Sequence, residues 1–252
     1  MADITILPGA EPRFHRGGRR GVLLLHGFLG SPFEMKHLAG KLIDAGYTVS
    51  VPRLPGHGTS LDDMARCTGR DWLGAARDAY YDILEHCDEV SIAGLSMGGI
   101  LTILLAFEFT PRKIILISTP RRIPDRRAVL APLVRPFTKI IRRVDEEKGL
   151  DDPEARRVHV CYSDGVPVMA AWHLRKLINA AMKALPRVSS DALFIQSRRD
   201  SVIPADSLDY IAARIGSARK ETRWLEQGNH TVTADVGKEH VARLIIEFLK
   251  QR

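Results

Sequence analysis

Short apolar runs, most of them closed by glycine, proline or serine, alternate along this chain with stretches of helical periodicity. "GVLLLHG" (21–27), "YTVSVP" (47–52), "EVSIAG" (89–94), "KIILIS" (113–118) and "ALFIQS" (192–197) are too short for helices and read as buried strands. "ETRWLE" (221–226) alternates polar and apolar and reads as a more exposed strand. Between the runs lie helical segments. In "KEHVARLIIEFLKQ" (238–251), Val241, Leu244, Ile245, Phe248 and Leu249 share one face. "PADSLDYIAARIG" is opened by Pro204 and closed by Gly216. "DWLGAARDAYYDILEHC" (71–87) is a third helix. Strand and helix in repeated succession, with buried strands, require an α/β fold: a mostly parallel sheet with helices on both faces.

The rhythm breaks once. From about Thr119 to Ser190 no clear strand is visible. "AVLAPLVRPFTKIIRR" and "VPVMAAWHLRKLINAAMKAL" look like amphipathic helices separated by the charged stretch "VDEEKGLDDPEARR". Both ends return to the sheet. The expected organisation is therefore a core of residues 1–118 and 191–252 with a cap insertion, 119–190. Such a cap lies over the C-terminal edge of the strands, where open α/β sheets bind ligands.

Composition narrows the class. A chain of 252 residues with 45% hydrophobic and 27% charged residues is a globular domain with a substantial core. The N-terminus has no basic start followed by an apolar stretch, and no run approaches the length of a membrane span. Cys67, Cys87 and Cys161 lack metal spacing and are odd in number, which favours a reducing cytoplasm. The net charge of +7 is densest in "RRIPDRR" and "IIRR". With no nucleic-acid-binding motif nearby, a solvated basic face is the expected reading over a polyanion site.

Ser96 lies in the one Gly-x-Ser-x-Gly, "GLSMG". Val90 to Gly94 is the strand before it, and Met97 to Phe109, apolar nearly all round, is the helix after it. A serine on such a tight turn has a strained backbone, and side chains at positions 94 or 98 would collide with the neighbouring strand or helix. The helix N-terminus favours negative charge developing there. Serine needs a base, and the base an orienting acid. In this arrangement they follow in the order Ser, Asp, His. "RRDSVIP" places Asp200 after "ALFIQS", and "QGNHTV" places His230 after "ETRWLE". Taken singly, Asp200 reads equally as a cap for the helix at Pro204, and His230 as a solvated loop residue. Three correct types in order at three strand ends favour chemistry. His57, in "LPGHGTS", reads as structural. An oxyanion needs two backbone donors: Met97 N–H and, from the loop after the first strand, Phe28 N–H. Gly27 and Gly30 are expected to let that loop approach a reacting carbonyl.

"HGFLGSP", "PRLPGHGT", "DW", "GLSMGG", the Asp200 loop and "GNHTV" together resemble the bacterial monoacylglycerol lipases and small thermophile-type carboxylesterases of the α/β-hydrolase superfamily. The resemblance runs from about Gly21 to the C-terminus and is weakest in the cap. It implies a cofactor-free serine hydrolase with a small helical cap over an apolar acyl pocket. It also implies Ser96 as nucleophile, Asp200 and His230 as its partners, and Phe28 and Met97 as oxyanion donors.

The function expected is hydrolysis of carboxylic esters with short to medium acyl chains, extending to monoacylglycerols, without metal or cofactor. The partner is a small ester or lipid, with no nucleic acid and no stable membrane insertion. Carbon–carbon hydrolases, peptidases and acyltransferases use the same three residues and stay open. So does a receptor-like member that binds a ligand with little turnover. The acyl pocket is expected from apolar cap positions Leu130, Leu133, Ile140, Val168, Met169 and Leu174, with Phe28, Met97 and Val202 at its floor.

Overall fold

The computed structural model describes residues 5–123, 130–142 and 149–251. The strands of the main sheet are β1 (Arg13–His15), β2 (Arg20–Leu25), β3 (Thr48–Val51), β4 (Glu89–Leu95), β5 (Lys113–Ile117), β8 (Asp191–Ser197) and β9 (Lys220–Leu225). A separate hairpin pairs β6 (Ile140–Arg142) with β7 (Gly165–Pro167). The main sheet has the order β1-β3-β2-β4-β5-β8-β9. Every pair is parallel except β1 with β3. Every residue of β5, and all but the first of β2, β4 and β8, is buried or nearly so, as strands covered on both faces must be.

The helices are α1 (Lys36–Asp44), α2 (Leu61–Met64), α3 (Gly69–Leu84), α4 (Met97–Phe109), α5 (Ala131–Val134), α6 (Pro153–Val158), α7 (Val168–Ala184), α8 (Ser207–Arg214) and α9 (Lys238–Lys250). One face of the sheet carries α1 and α9, whose apolar sides meet Val22, Leu24, Ala93 and Ile115. The other carries α3, α4 and α8 around Leu23, Leu25, Ile92 and Phe194, with α7 outside α4 in the same apolar cluster. Thr68 opens α3 with a reciprocal capping box to Asp71, which satisfies two orphan N–H groups.

Three features depart from the sequence expectations. The edge strand β1 is too short to leave a pattern. The stretch expected as the first cap helix is instead the single turn α5 followed by β6, so Ile140 stands on a strand. Pro132 fits the first turn of α5, but Pro136 cannot continue a helix, and the chain extends after it. The second expected cap helix does form, as α7, but it packs along α4 and α3 rather than over the strand ends alone. The cause is α4 itself. Met97 to Leu105 are buried except Leu104, and a helix apolar on all sides needs a cover on the side away from the sheet. Leu174, Leu177, Ile178 and Ala181 of α7 supply it. Residues 124–129 and 143–148, which include part of each basic stretch, the start of the first expected cap helix and part of "VDEEKGLDDPEARR", lie outside the described residues.

Candidate active site

The C-terminal ends of β2, β4, β5, β8 and β9 stand side by side in the sheet, so the loops after them share one edge. Ser96 follows β4. Its φ of +54° and ψ of −113° lie outside the regions favoured by L-residues. Steric room explains how the turn is made. A Cβ at Gly94 would lie 2.1 Å from Gly98 O, and one at Gly98 would lie 2.0 Å from Leu25 O. Only glycine fits either place. Ser96 N–H donates to Ile117 O at 2.8 Å, and Ser96 O accepts from Gly99 and Ile100. The strained residue is thus held from both sides while its side chain stays partly open.

Asp200 and His230 meet beyond β5, at the ends of β8 and β9. His230 Nδ1 lies 2.9 Å from Asp200 Oδ2 with both side chains buried. Because the carboxylate accepts at Nδ1, the neutral imidazole carries its lone pair on Nε2. Burial pushes His230 down, but the Asp200 charge and hydrogen bond, helped by the more distant Glu34 charge, raise its pKa overall. Burial likewise pushes Asp200 up. His230 and the N–H groups of Val202 and Ile203 outweigh it and hold the carboxylate below its usual range. Asp200 Oδ1 accepts those two N–H groups at 2.9 and 3.1 Å. Asp200 does not cap the next helix, which starts at Ser207; one oxygen braces its own turn while the other orients the histidine. Asp206 is exposed just before α8 and pairs with Arg121 at 2.7 Å.

The loop after β2 carries Phe28, partly exposed beside a fully buried His26. A Cβ at Gly27 would sit 3.5 Å from Ser96 Cβ, so this loop lies directly against the serine. Neither Phe28 N–H nor Met97 N–H has an acceptor among the described residues. His26 Nε2 accepts from Leu54 N at 3.1 Å while Nδ1 faces Gly27 O at 2.9 Å, so Nδ1 carries the proton. Burial lowers the His26 pKa and keeps the ring neutral. The Phe28 ring packs edge-on against His57 and Trp72, and Trp72 Nε1 donates to Pro55 O. His57 is fully buried in this aromatic cluster, which gives the "GHG" and "DW" motifs a structural role.

Gly30 departs from its expected role. A Cβ there would lie 2.1 Å from Glu34 Oε1, so glycine makes room for a buried carboxylate and not for substrate. Glu34, His159, Ser118 and Asp235 carry no signal in the sequence, and Asn229 is visible there only as part of "GNHTV". Ser118 Oγ donates to His230 O at 2.7 Å. Asp235 is fully buried and accepts N–H groups from Asp151, Asp152, Asn229 and Val236. Gly149 O accepts from His230 N and Thr231 N, so the inserted segment lies on the histidine loop.

The apolar positions expected to line a pocket are spread over several environments. Val168 and Leu174 are buried, while Met169 and Ile140 are half-buried. Ile140 packs at the fringe of the core cluster that contains Met97 and Leu174. Leu130, Leu133 and Val202 are exposed, Leu133 to 71%. Among the described residues, no helix is long and apolar enough to cross a membrane.

Known proteins share these features of sequence and fold. The model of the "Alpha/beta hydrolase family" matches residues 22–243. The chain is 33% identical over 248 residues to a thermostable monoacylglycerol lipase of Bacillus sp. (strain H-257), covering 96% of this chain and 95% of that one. It is 25% identical over 242 residues to a carboxylesterase of Bacillus subtilis (strain 168), covering 96% of each. A solved structure from work on the metagenome-derived lipolytic enzymes LipS and LipT superposes with a TM-score of 0.90 at 36% identity, covering 98% of this chain and all of that one. The monoacylglycerol lipase of Paleococcus ferrophilus shares the fold, with a TM-score of 0.80 at 18% identity over 95% of this chain and 98% of that one. The serine elbow after β4, the aspartate and histidine loops after β8 and β9, and a family match spanning nearly the whole sheet agree: the chain belongs to the α/β hydrolase family.

Proposed function

We propose that Ser96 is the nucleophile of this ester-cleaving serine hydrolase, with His230 as its base and Asp200 as the orienting acid. The observation that carries the assignment is the strained Ser96 on a strand–turn–helix, next to strand ends where His230 and Asp200 are already hydrogen-bonded. The protein is a carboxylesterase of monoacylglycerol-lipase type. Its substrates are small-molecule or lipid esters, and short to medium acyl chains, including monoacylglycerols, are the proposed range.

The chemistry follows from the protonation states. His230 Nε2 takes the Ser96 proton as Oγ bonds to the ester carbonyl carbon. The carbonyl oxygen becomes an oxyanion that accepts from Phe28 and Met97 N–H. The C–O bond to the alcohol then breaks, and His230 returns the proton to the leaving oxygen. Water, deprotonated by the same nitrogen, attacks the acyl carbon; the bond to Ser96 Oγ breaks, the proton returns from His230 to that oxygen, and the acid is freed. Asp200 keeps Nδ1 protonated and stabilises the transient imidazolium. The segment 119–190 is proposed as the cap, with Ile140, Val168, Met169 and Leu174 nearest the apolar wall for the acyl chain.

Ser96→Ala tests this reading against p-nitrophenyl esters of graded chain length and against monoacylglycerols. Turnover should fall by about four orders of magnitude or more, with an unchanged thermal unfolding midpoint. An alanine variant that kept a tenth of the activity would remove Ser96 from the mechanism. Binding without turnover in the unaltered protein would favour a receptor.

A further inference from the structure

Behind the oxyanion loop lies a buried ion pair that the hydrolytic mechanism does not use. Glu34 sits in a single 3-10 turn, Pro32–Met35, and is 5% exposed. Its Oε2 accepts Gly27 N–H at 2.7 Å, and its Oε1 lies 3.2 Å from His159 Nε2. His159 is 6% exposed and comes from the inserted segment, 125 residues further along. Two further ties join the same pieces of chain. Ser31 Oγ donates to Val160 O at 2.7 Å, and Tyr162 N–H donates to Leu29 O at 2.9 Å. Between these ties Leu29 holds a φ of +67°, a conformation that a leucine adopts only when its surroundings impose it. Tyr162 OH also donates to Gly56 O and accepts Thr59 N–H, which fixes the inserted segment to the aromatic layer under Phe28.

We propose that Glu34, clamped by His159, is a positioning residue for the oxyanion loop, so that the Phe28 donor is aimed jointly by β2 and by residues 159–162 of the insertion. The proposal rests on the reading of Phe28 and Met97 as oxyanion donors. Gly27 N–H is one residue before the Phe28 donor, and tilting the peptide between them would re-aim it. Errors of about 1 Å in such groups cost about a hundredfold in rate. A carboxylate is suited to the task because, once buried, it is costly to leave unpaired.

The charges around the pair support it. Burial pushes Glu34 up, but the His159 hydrogen bond and charge, with His26 and Gly27 N–H, lower it overall. Burial pushes His159 down, and the neighbouring Cys161 together with the Glu34 hydrogen bond and charge raises it to about 9. At neutral pH both partners are therefore ionised. The groups facing His159 are Glu34, Cys161 and the Phe33 ring; those facing Glu34 are His159, His26 and, further off, His230.

The test uses the full chain and a p-nitrophenyl ester. Glu34→Gln keeps an acceptor for Gly27 N–H but loses the charge, and His159→Gln removes the clamp. In each, kcat should fall about tenfold or more while KM stays within about threefold. An arylboronic acid, whose serine adduct places an oxygen where the oxyanion forms, should lose affinity in the same proportion. In the unaltered protein kcat should drop between roughly pH 8 and 10 as His159 loses its proton. Cys161→Ser should keep that drop and His159→Gln should lack it. A kcat within about twofold of the unaltered protein in either folded variant, or a loss confined to KM, overturns the proposal even with Ser96→Ala inactive. If both variants fail to fold, a flat kcat across that pH range overturns it. An active Ser96→Ala would instead remove the reading on which the proposal stands.

Discussion

Asp200 divides its carboxylate between two tasks, with Oδ2 on His230 Nδ1 and Oδ1 on the N–H groups of Val202 and Ile203. Asparagine in its place can still serve the turn. Its amide, however, can donate to Nδ1, which would put the imidazole proton on Nε2 and leave Ser96 without a base. Asp200→Asn should therefore lower kcat by about three to four orders of magnitude with little change in unfolding temperature. Asp206→Asn loses an exposed ion pair with Arg121 and should keep kcat within about twofold and the unfolding temperature within about 3 °C. Equal losses in the two variants would show that the acid is misassigned. The contrast between these residues and Glu34 shows what a single sequence makes legible. Ser96, Asp200 and His230 each follow a recognisable strand, so chain order alone puts them at one sheet edge. Glu34 sits in "SPFEMKHLAG", where an acidic residue beside a helix reads as solvated. Its burial is decided by a partner 125 residues away. Asp235 is hidden in the same way, since it meets Asp151 from 84 residues further along. Burial of a charge is set by tertiary partners, and no local period records it.

At the scale of elements, legibility follows the source of each element's stability. β2, β4, β5 and β8 are buried on both faces, so their apolar runs are nearly continuous and plain in the sequence. The β6–β7 hairpin has three residues a side and rests on pairing across the insertion, with Ile140 opposite Pro167. That pairing leaves no run to read. The hairpin sets up the start of α7, because Val168 N–H donates to Lys139 O at 2.9 Å. Val168 then turns into the core while Met169 remains half-buried beside it. Leu174 and Ile178 hold the helix to the core, and Met169, half-buried outside that cluster, is the α7 side chain proposed to limit a ligand. Met169→Ala should move the acyl-length optimum of kcat/KM to longer esters, each added buried methylene contributing about 0.8 kcal/mol. Leu133→Ala, at a largely exposed position, should leave the profile unchanged. An unchanged profile in Met169→Ala would take Met169 out of the pocket, and a shift in Leu133→Ala would place the acyl chain further out on the insertion.

Across the whole molecule the inserted segment is bound to the core at three separated places. Residues 149–152 lie on the His230 loop and Asp235, residues 159–162 on the loop after β2, and α7 on α3 and α4. Unfolding should therefore engage insertion and core together, and charges buried between them should appear in global stability. His159 has a folded pKa of about 9 against an ordinary value of 6.5, so the folded state holds the proton more tightly. A raised base stabilises fully below its unfolded value, and the benefit is lost as the pH rises through the folded value. Glu34, lowered below its ordinary value, acts in the opposite direction and loses its contribution only in acid. His26 and His57, lowered by burial, also cost stability in acid, where the unfolded chain takes up their protons first. The alkaline limb is thus the one that reports His159. The linked proton should be worth roughly 2 to 3 kcal/mol at pH 7, or about 5 to 10 °C in unfolding midpoint for a chain of this size. Thermal unfolding of the unaltered protein and of His159→Gln from pH 7 to 10 measures it. The unaltered protein should start higher and lose that advantage as the pH passes about 9. A gap between the two curves that stays constant over the range would mean that His159 packs in this site without its charge.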